Sequence, residues 1–132
     1  MQGFSRGVGG LFAVGEVAPG LVGPGTVYSF LAEHRLALFP EESFADLFPS
    51  GRGRPSTPGS VVAAMLLLQA LEGLSDREAE ERAGFDLRWK AALGLAVDEP
   101  APDHTVLVYW RRRIAASADP DRVFRAVAQL VE

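Results

Sequence analysis

Thr57-Pro58-Gly59-Ser60-Val61-Val62-Ala63-Ala64-Met65-Leu66-Leu67-Leu68-Gln69-Ala70-Leu71-Glu72-Gly73 is the stretch whose reading decides the fold. Thr57 is a good helix N-cap, and Pro58 suits the first helical position, where its missing N–H costs nothing. From Val61 to Leu71 the chain is apolar nearly all round, with Gln69 its one interruption. Gly73 can take the left-handed conformation that ends a helix. A helix with no polar face has to be central. The other segments are therefore expected to pack around it.

Working outward, Gly51-Arg52-Gly53-Arg54-Pro55-Ser56 reads as a linker. Before it, Val27, Phe30, Leu31 and Leu38 recur at helical spacing, with Glu33, His34 and Arg35 assigned to the other side, until Pro40 stops the run. A short helix from Glu41 to Leu47 is expected to bury Phe44, Leu47 and Phe48. Residues 1–25 are glycine-rich and read as a flexible N-terminal arm with one docked segment at most. After the central helix, Ser75 and Glu78 form a capping box for a helix from Asp76 to Ala83, closed by Gly84. Leu87, Trp89 and Leu93 populate the next helix, which ends at Gly94. Asp103 caps a helix from His104 to about Ala116, and Asp119-Pro120 opens a last one. That last helix carries Val123, Phe124, Val127, Leu130 and Val131 on one apolar face. With no strand and no repeat in view, the expected fold is all-α. It is a small multi-helix bundle with a helix-turn-helix-like arrangement, divided into the arm (1–25) and a helical domain (26–132).

Composition narrows the function classes. The 132 residues fit one domain, and a hydrophobic content of 48% excludes wholesale disorder. There is no cysteine, so neither a disulfide framework nor a thiolate metal site is available. The two histidines, His34 and His104, are too few and too scattered for a zinc site, and no metal or cofactor is expected. The apolar run Val61 to Leu68 is far short of the roughly 20 residues a membrane span needs. No secretory signal is read either, so the cytoplasm is the expected compartment. A net charge of −4 argues mildly against a nucleic-acid partner, although the distribution of charge matters more than its sum.

The helix from His104 has the most chemical character. Val106, Leu107, Trp110 and Ile114 gather on one side, which must face the core. Thr105, Val108, Tyr109 and Arg112 gather on the other, flanked by Arg111 and Arg113. Such a face suits a major groove, where arginines reach phosphates or guanine edges. The same pattern fits a solvated face whose arginines favour the C-terminal end of the helix dipole. A second placement would put Arg88, Trp89 and Lys90 on the recognition helix, but the acids between Asp76 and Glu81 oppose that surface meeting DNA. Arg52-Gly53-Arg54-Pro55 is either a strip able to enter a narrow minor groove or a plain linker with two solvated arginines. No catalytic site is expected. The pairs Glu41-Glu42, Glu80-Glu81 and Asp98-Glu99 are adjacent and diverge, and Asp103-His104-Thr105 at a helix start cannot form a nucleophilic relay.

Four ordered pieces carry a resemblance. They are Phe44 to Phe48 leading into Gly51 to Ser56; Val61 to Leu71 running into Glu72 to Ala79; Asp86 to Leu95; and Pro102 to Thr105 followed by Tyr109 to Ile114. In order and spacing the chain resembles the N-terminal domain of DDE-type insertion-sequence transposases of the InsH-like group. The resemblance implies a helical region that helps recognise element ends and precedes an RNase H-like domain with three metal-binding carboxylates. The chain is expected to stop where that catalytic domain begins, so no acidic triad is carried over. The expected partner is double-stranded DNA, contacted through Arg111, Arg112, Arg113, Thr105 and Tyr109, with Arg52 and Arg54 as further contacts. A homo-oligomer or a full-length transposase is the other expected partner. The alternative function is a dimerisation, assembly or regulatory domain without sequence-specific DNA contact, for which the apolar face of Val123 to Val131 speaks.

Overall fold

The computed structural model describes Gln2 and residues 12–48 and 57–131, with side chains described as far as Gln129. The described elements are α1 (Val14–Val17), α2 (Val27–Leu38), a 3₁₀-helix (Glu41–Leu47), α3 (Gly59–Glu72), α4 (Asp76–Phe85), α5 (Leu87–Leu93), α6 (His104–Ala116) and α7 (Arg122–Val131). Among the described residues extended pairing is limited to one bridge, Ala13 with Ala96. The fold is all-α, as the patterning implied.

α3 is the axis. Every residue from Gly59 to Leu68 is buried, and α2, the 3₁₀-helix, α4, α5, α6 and α7 all touch it. Its start differs from expectation by a residue or two. Pro58 occupies the N-cap position, and its carbonyl accepts from Val61 and Val62, so the first helical residue is Gly59. Packing explains the glycine, because a Cβ there would lie 2.5 Å from the Phe44 ring. The other end matches the reading, since Gly73 takes φ +65° and closes the helix through Gln69. No single helix among the described residues is long and apolar enough to cross a membrane.

The two ends of α3 hold its neighbours by polar contacts. At the start, the Ser60 hydroxyl accepts from Arg35 Nη1 (2.8 Å) and donates to Glu41 Oε1 (2.6 Å), joining α2 and the 3₁₀-helix. At the end, Glu72 Oε2 accepts from Tyr28 (3.0 Å) and from the Trp89 indole (2.9 Å), joining α2 and α5. Arg35 corrects the sequence reading. Assigned to the solvent side of α2, it is only 1% exposed. At about 3.6 residues per turn, Val27, Leu31, Arg35 and Leu38 share one face, while Phe30 turns outward and is 41% exposed. Burial pushes the Arg35 guanidinium below its ordinary value, opposed by the Glu41 carboxylate.

The remaining joints are short. α3 and α4 meet at 112° across Gly73-Leu74-Ser75. The capping box of Ser75 and Glu78 is complete. Gly84 does not end α4, which runs to Phe85. Asp86 instead serves both helices: its N–H closes α4 on Arg82 O, and its carboxylate caps α5 through Arg88 N. Within the expected N-terminal arm, Val14 is buried and the Phe12 carbonyl accepts from Val97 N–H at 2.8 Å. At the other end, α7 starts at Arg122, two residues beyond Pro120. The buried Arg122 grips Asp46 in a two-pronged pair (2.8 and 3.0 Å) and also donates to Ser43 O, Ser117 Oγ and Asp119 O.

Gly73 and Gly94 both adopt positive φ, but only Gly94 is crowded, since a Cβ there would lie 2.3 Å from Arg35 Nη2. Gly73→Ala should cost about 1–2 kcal/mol, the left-handed backbone penalty alone. Gly94→Ala should cost up to about 1–3 kcal/mol more, because the added Cβ displaces a buried guanidinium from its bond to Ser60. Denaturant unfolding of both variants checks the order.

Candidate nucleic-acid interface

α6 presents the two faces its spacing implied. Leu107, Trp110 and Ile114 are buried, and Val106 packs partly against the core. Thr105, Tyr109, Arg111 and Arg112 are exposed, while Val108 and Arg113 are half-buried. Asp103 caps the helix, accepting from the Thr105 N–H (2.8 Å) and hydroxyl (2.7 Å). These bonds hold the Asp103 carboxyl below the usual carboxylate range, the backbone bond from Thr105 being the largest cause. The Thr105 hydroxyl proton is therefore committed to the cap.

The side of α6 facing α4 is stitched by charge. Arg111 donates to Asp76 (2.6 Å to Oδ1) and to Gln69 Oε1 (3.0 Å). Gln69 in turn donates to Asp76 Oδ1 at 2.7 Å. The one polar interruption of the central helix is thus a joint between α3, α4 and α6. One turn further along α4, Glu80 Oε1 accepts from the His104 N–H at 2.9 Å. The acids of α4 that argued against a DNA-facing surface turn out to position α6. Among the described residues, one grouping has metal-ligand chemistry. Glu80, Asp103 and His104 bring one donor atom each within 4.8 Å of the others. Its carboxylates already serve the first N–H groups of α6, which accounts for the grouping as a helix start.

The outer side is built differently. The Arg113 guanidinium lies over the Tyr109 ring at 5.2 Å and over the Phe48 ring at 5.1 Å. Phe48 rests on Trp110 (5.2 Å), which meets Phe44 edge-on at 5.8 Å. An aromatic column thus rises from the core to Tyr109, which is 50% exposed. Phe48 was read only as a core residue. Its role beside Arg113 joins residues too far apart in sequence for any spacing rule to connect.

Pairing sorts the arginines. Arg82, Arg88, Arg111, Arg122 and Arg125 each face a carboxylate: Glu72, Asp86, Asp76, Asp46 and Asp119 respectively. Arg112 and Arg113, both on α6, have no carboxylate partner among the described residues, and neither does Arg77 on α4. Of Arg88, Trp89 and Lys90, the second placement, only Arg88 is exposed, and it is paired with Asp86. Trp89 and Lys90 are buried, the Lys90 ammonium donates to the Glu99 carbonyl, and burial pushes its pKa below the ordinary value. The site thus brings together Thr105, Tyr109, Arg112 and Arg113 and draws Arg111 aside to α4. Arg52 and Arg54 lie outside the described residues.

The model of a family described as a transposase domain (DUF772) matches residues 28–113. The chain belongs to this family. The match takes in the transposase domain from the first turn of α2 to Arg113 of α6, so it contains the α3 axis, the α4–α6 joint and the aromatic column. No curated protein and no solved structure matches the chain.

Arg111→Ala should destabilise the transposase domain by about 1 kcal/mol or less, because the pair is partly exposed. Arg112→Ala should leave stability unchanged. Arg111 holds the Asp76 carboxyl below its usual value, chiefly through its hydrogen bond. That stabilisation is present above the unfolded carboxyl pKa of about 3.9 and is lost as pH falls through the lower folded value. Thermal unfolding of wild type and Arg111→Ala from neutral pH downward should show their difference shrinking below about pH 4.

Proposed function

We propose that the chain is a DNA-binding module of a transposase of the DDE type, InsH-like group, that engages insertion-sequence ends through the outer face of α6. The observation that carries this reading is the sorting of arginines. In a protein of net charge −4, five described arginines are neutralised by carboxylates, whereas Arg112 and Arg113, adjacent on α6 and on either side of Tyr109, have none, as has Arg77 on α4. Phosphates are the natural partners of such cations, and a 13-residue helix exposing Tyr109 beside them has the dimensions to lie in a major groove. Arg111, tied to Asp76, acts as a positioning residue on this reading. Thr105 contributes as an acceptor at the entry of the helix. Arg52 and Arg54 are added contacts along the minor groove.

The module binds without cutting, in the cytoplasm, and cleavage belongs to a separate catalytic domain. Supporting this, the described carboxylates nearest the site are occupied: Asp76 by Arg111, Glu80 and Asp103 by the start of α6. Fluorescence anisotropy against DNA from the borders of its own locus, with a shuffled duplex beside it, tests the reading. Border DNA should bind tighter, and Arg112→Ala should flatten the salt dependence by about one unit of slope, the signature of one lost phosphate contact. Equal binding to both duplexes, with no change in the variant, would sink it.

A second reading, assembly with another copy or with a full-length transposase, is favoured by one feature. Phe124 on α7 is 53% exposed at the edge of a groove of about 580 Å³ walled by Leu66, Ala70, Leu74 and Ala115. Light scattering should then show a concentration-dependent mass that Phe124→Glu abolishes, with helicity retained. A monomer at all concentrations rules out assembly between copies of this chain.

A further inference from the structure

Inside a continuous duplex each base offers its edge and its phosphate, while its flat faces are covered by the neighbouring pairs. Arginine reads edges and phosphates through its N–H groups. An exposed aromatic ring reads faces. The outer side of α6 offers both kinds of group, and the ring is the better prepared of the two. Tyr109 ends a column that begins in the core at Phe44 and passes through Trp110, Phe48 and the Arg113 guanidinium. Trp110 is 1% exposed, so the base of the column is fixed, while half of the Tyr109 surface stays open to solvent. A ring already held in place loses little freedom when a flat partner covers it. The Arg113 guanidinium lies over the Tyr109 and Phe48 rings and so belongs to the same platform. Arg112, the next residue on the helix surface, adds a cation with no partner among the described residues.

We infer that this platform takes an unpaired DNA nucleotide, its base stacked on Tyr109 and its phosphate held by Arg112 and Arg113. The inference rests on the DNA-binding reading above and narrows it. The preferred substrate is a duplex whose terminus is frayed or carries a single-stranded extension, rather than a continuous duplex. Stacking is tolerant of base identity, because every base has a π-face. The platform therefore recognises the presence of an open base, and sequence preference comes from the neighbouring paired region.

The experiment uses the whole chain and two DNAs of the same sequence, one blunt and one with a short single-stranded overhang carrying a fluorescent adenine analogue. Anisotropy should show about tenfold tighter binding of the overhang DNA, and the analogue should be quenched on binding. Tyr109→Leu, which keeps apolar bulk at an exposed position, should remove the quenching and bring overhang affinity down to that variant's own blunt-duplex affinity. Tyr109→Phe should retain both. Circular dichroism confirms that each variant folds. An RNA overhang on the same duplex that binds tighter than the DNA overhang would overturn the assignment to DNA. Equal affinity for blunt and overhang DNA overturns the platform and leaves the DNA-binding reading standing. Binding to neither overturns both.

Discussion

The burial of α3 on every side from Gly59 to Leu68 is the constraint from which the rest of the structure follows. A helix with no polar face leaves the surrounding helices no choice of axis, and it removes the usual means of fixing their register, because apolar contacts are non-directional. Register is supplied instead by the few polar atoms that α3 does carry. Ser60 at its start ties α2 and the 3₁₀-helix, Gln69 ties α4 and α6, and Glu72 at its end ties α2 and α5. The three lie at successive heights along one helix. Each sets a directional contact that the surrounding hydrophobic packing cannot set by itself.

What was legible in the sequence follows the range of the interaction concerned. Helix punctuation depends on residues two to four apart, so Gly73, Gly94, the Ser75–Glu78 box and the Asp103 cap were all readable and all occur. The two faces of α6 were readable for the same reason. Gly84 misled, because a glycine in a helix signals a stop only when the backbone turns left-handed, and the turn occurs at Asp86 with extended geometry. Buried charge was not readable. Arg35 finds its hydroxyl partner 25 positions away and Lys90 its carbonyl nine away, and nothing local marks either cation as internal.

The candidate site shows the same division. Three consecutive arginines look equivalent in the sequence, yet they meet three different environments. Arg111 is drawn to an acid 35 positions earlier, Arg113 lies between two rings, and Arg112 faces outward. A helix turns about 100° per residue, so neighbours in a run must diverge. A cluster of like charges in a helix is thus a set of separate roles, and only the packing around the helix reveals which residue has which. Net charge misleads for a related reason. Most of the acid here is consumed in holding the protein together, so the overall negative sign says little about the outer face of α6.

The stitching of α6 to α4 has a consequence for how such a domain can change. Asp76 and Glu80 grip α6 at Arg111, just past its middle, and at the His104 backbone at its start, two turns apart, which restrains the helix's rotation and its position along its own axis. Val108, Tyr109 and Arg112 take no part in that grip. Substitutions at Tyr109 and Arg112, the two exposed positions, should therefore cost the scaffold less than substitutions at Asp76 or Trp110, while they change the surface that the helix presents. Rigidity and surface chemistry are thus assigned to different residues of one helix.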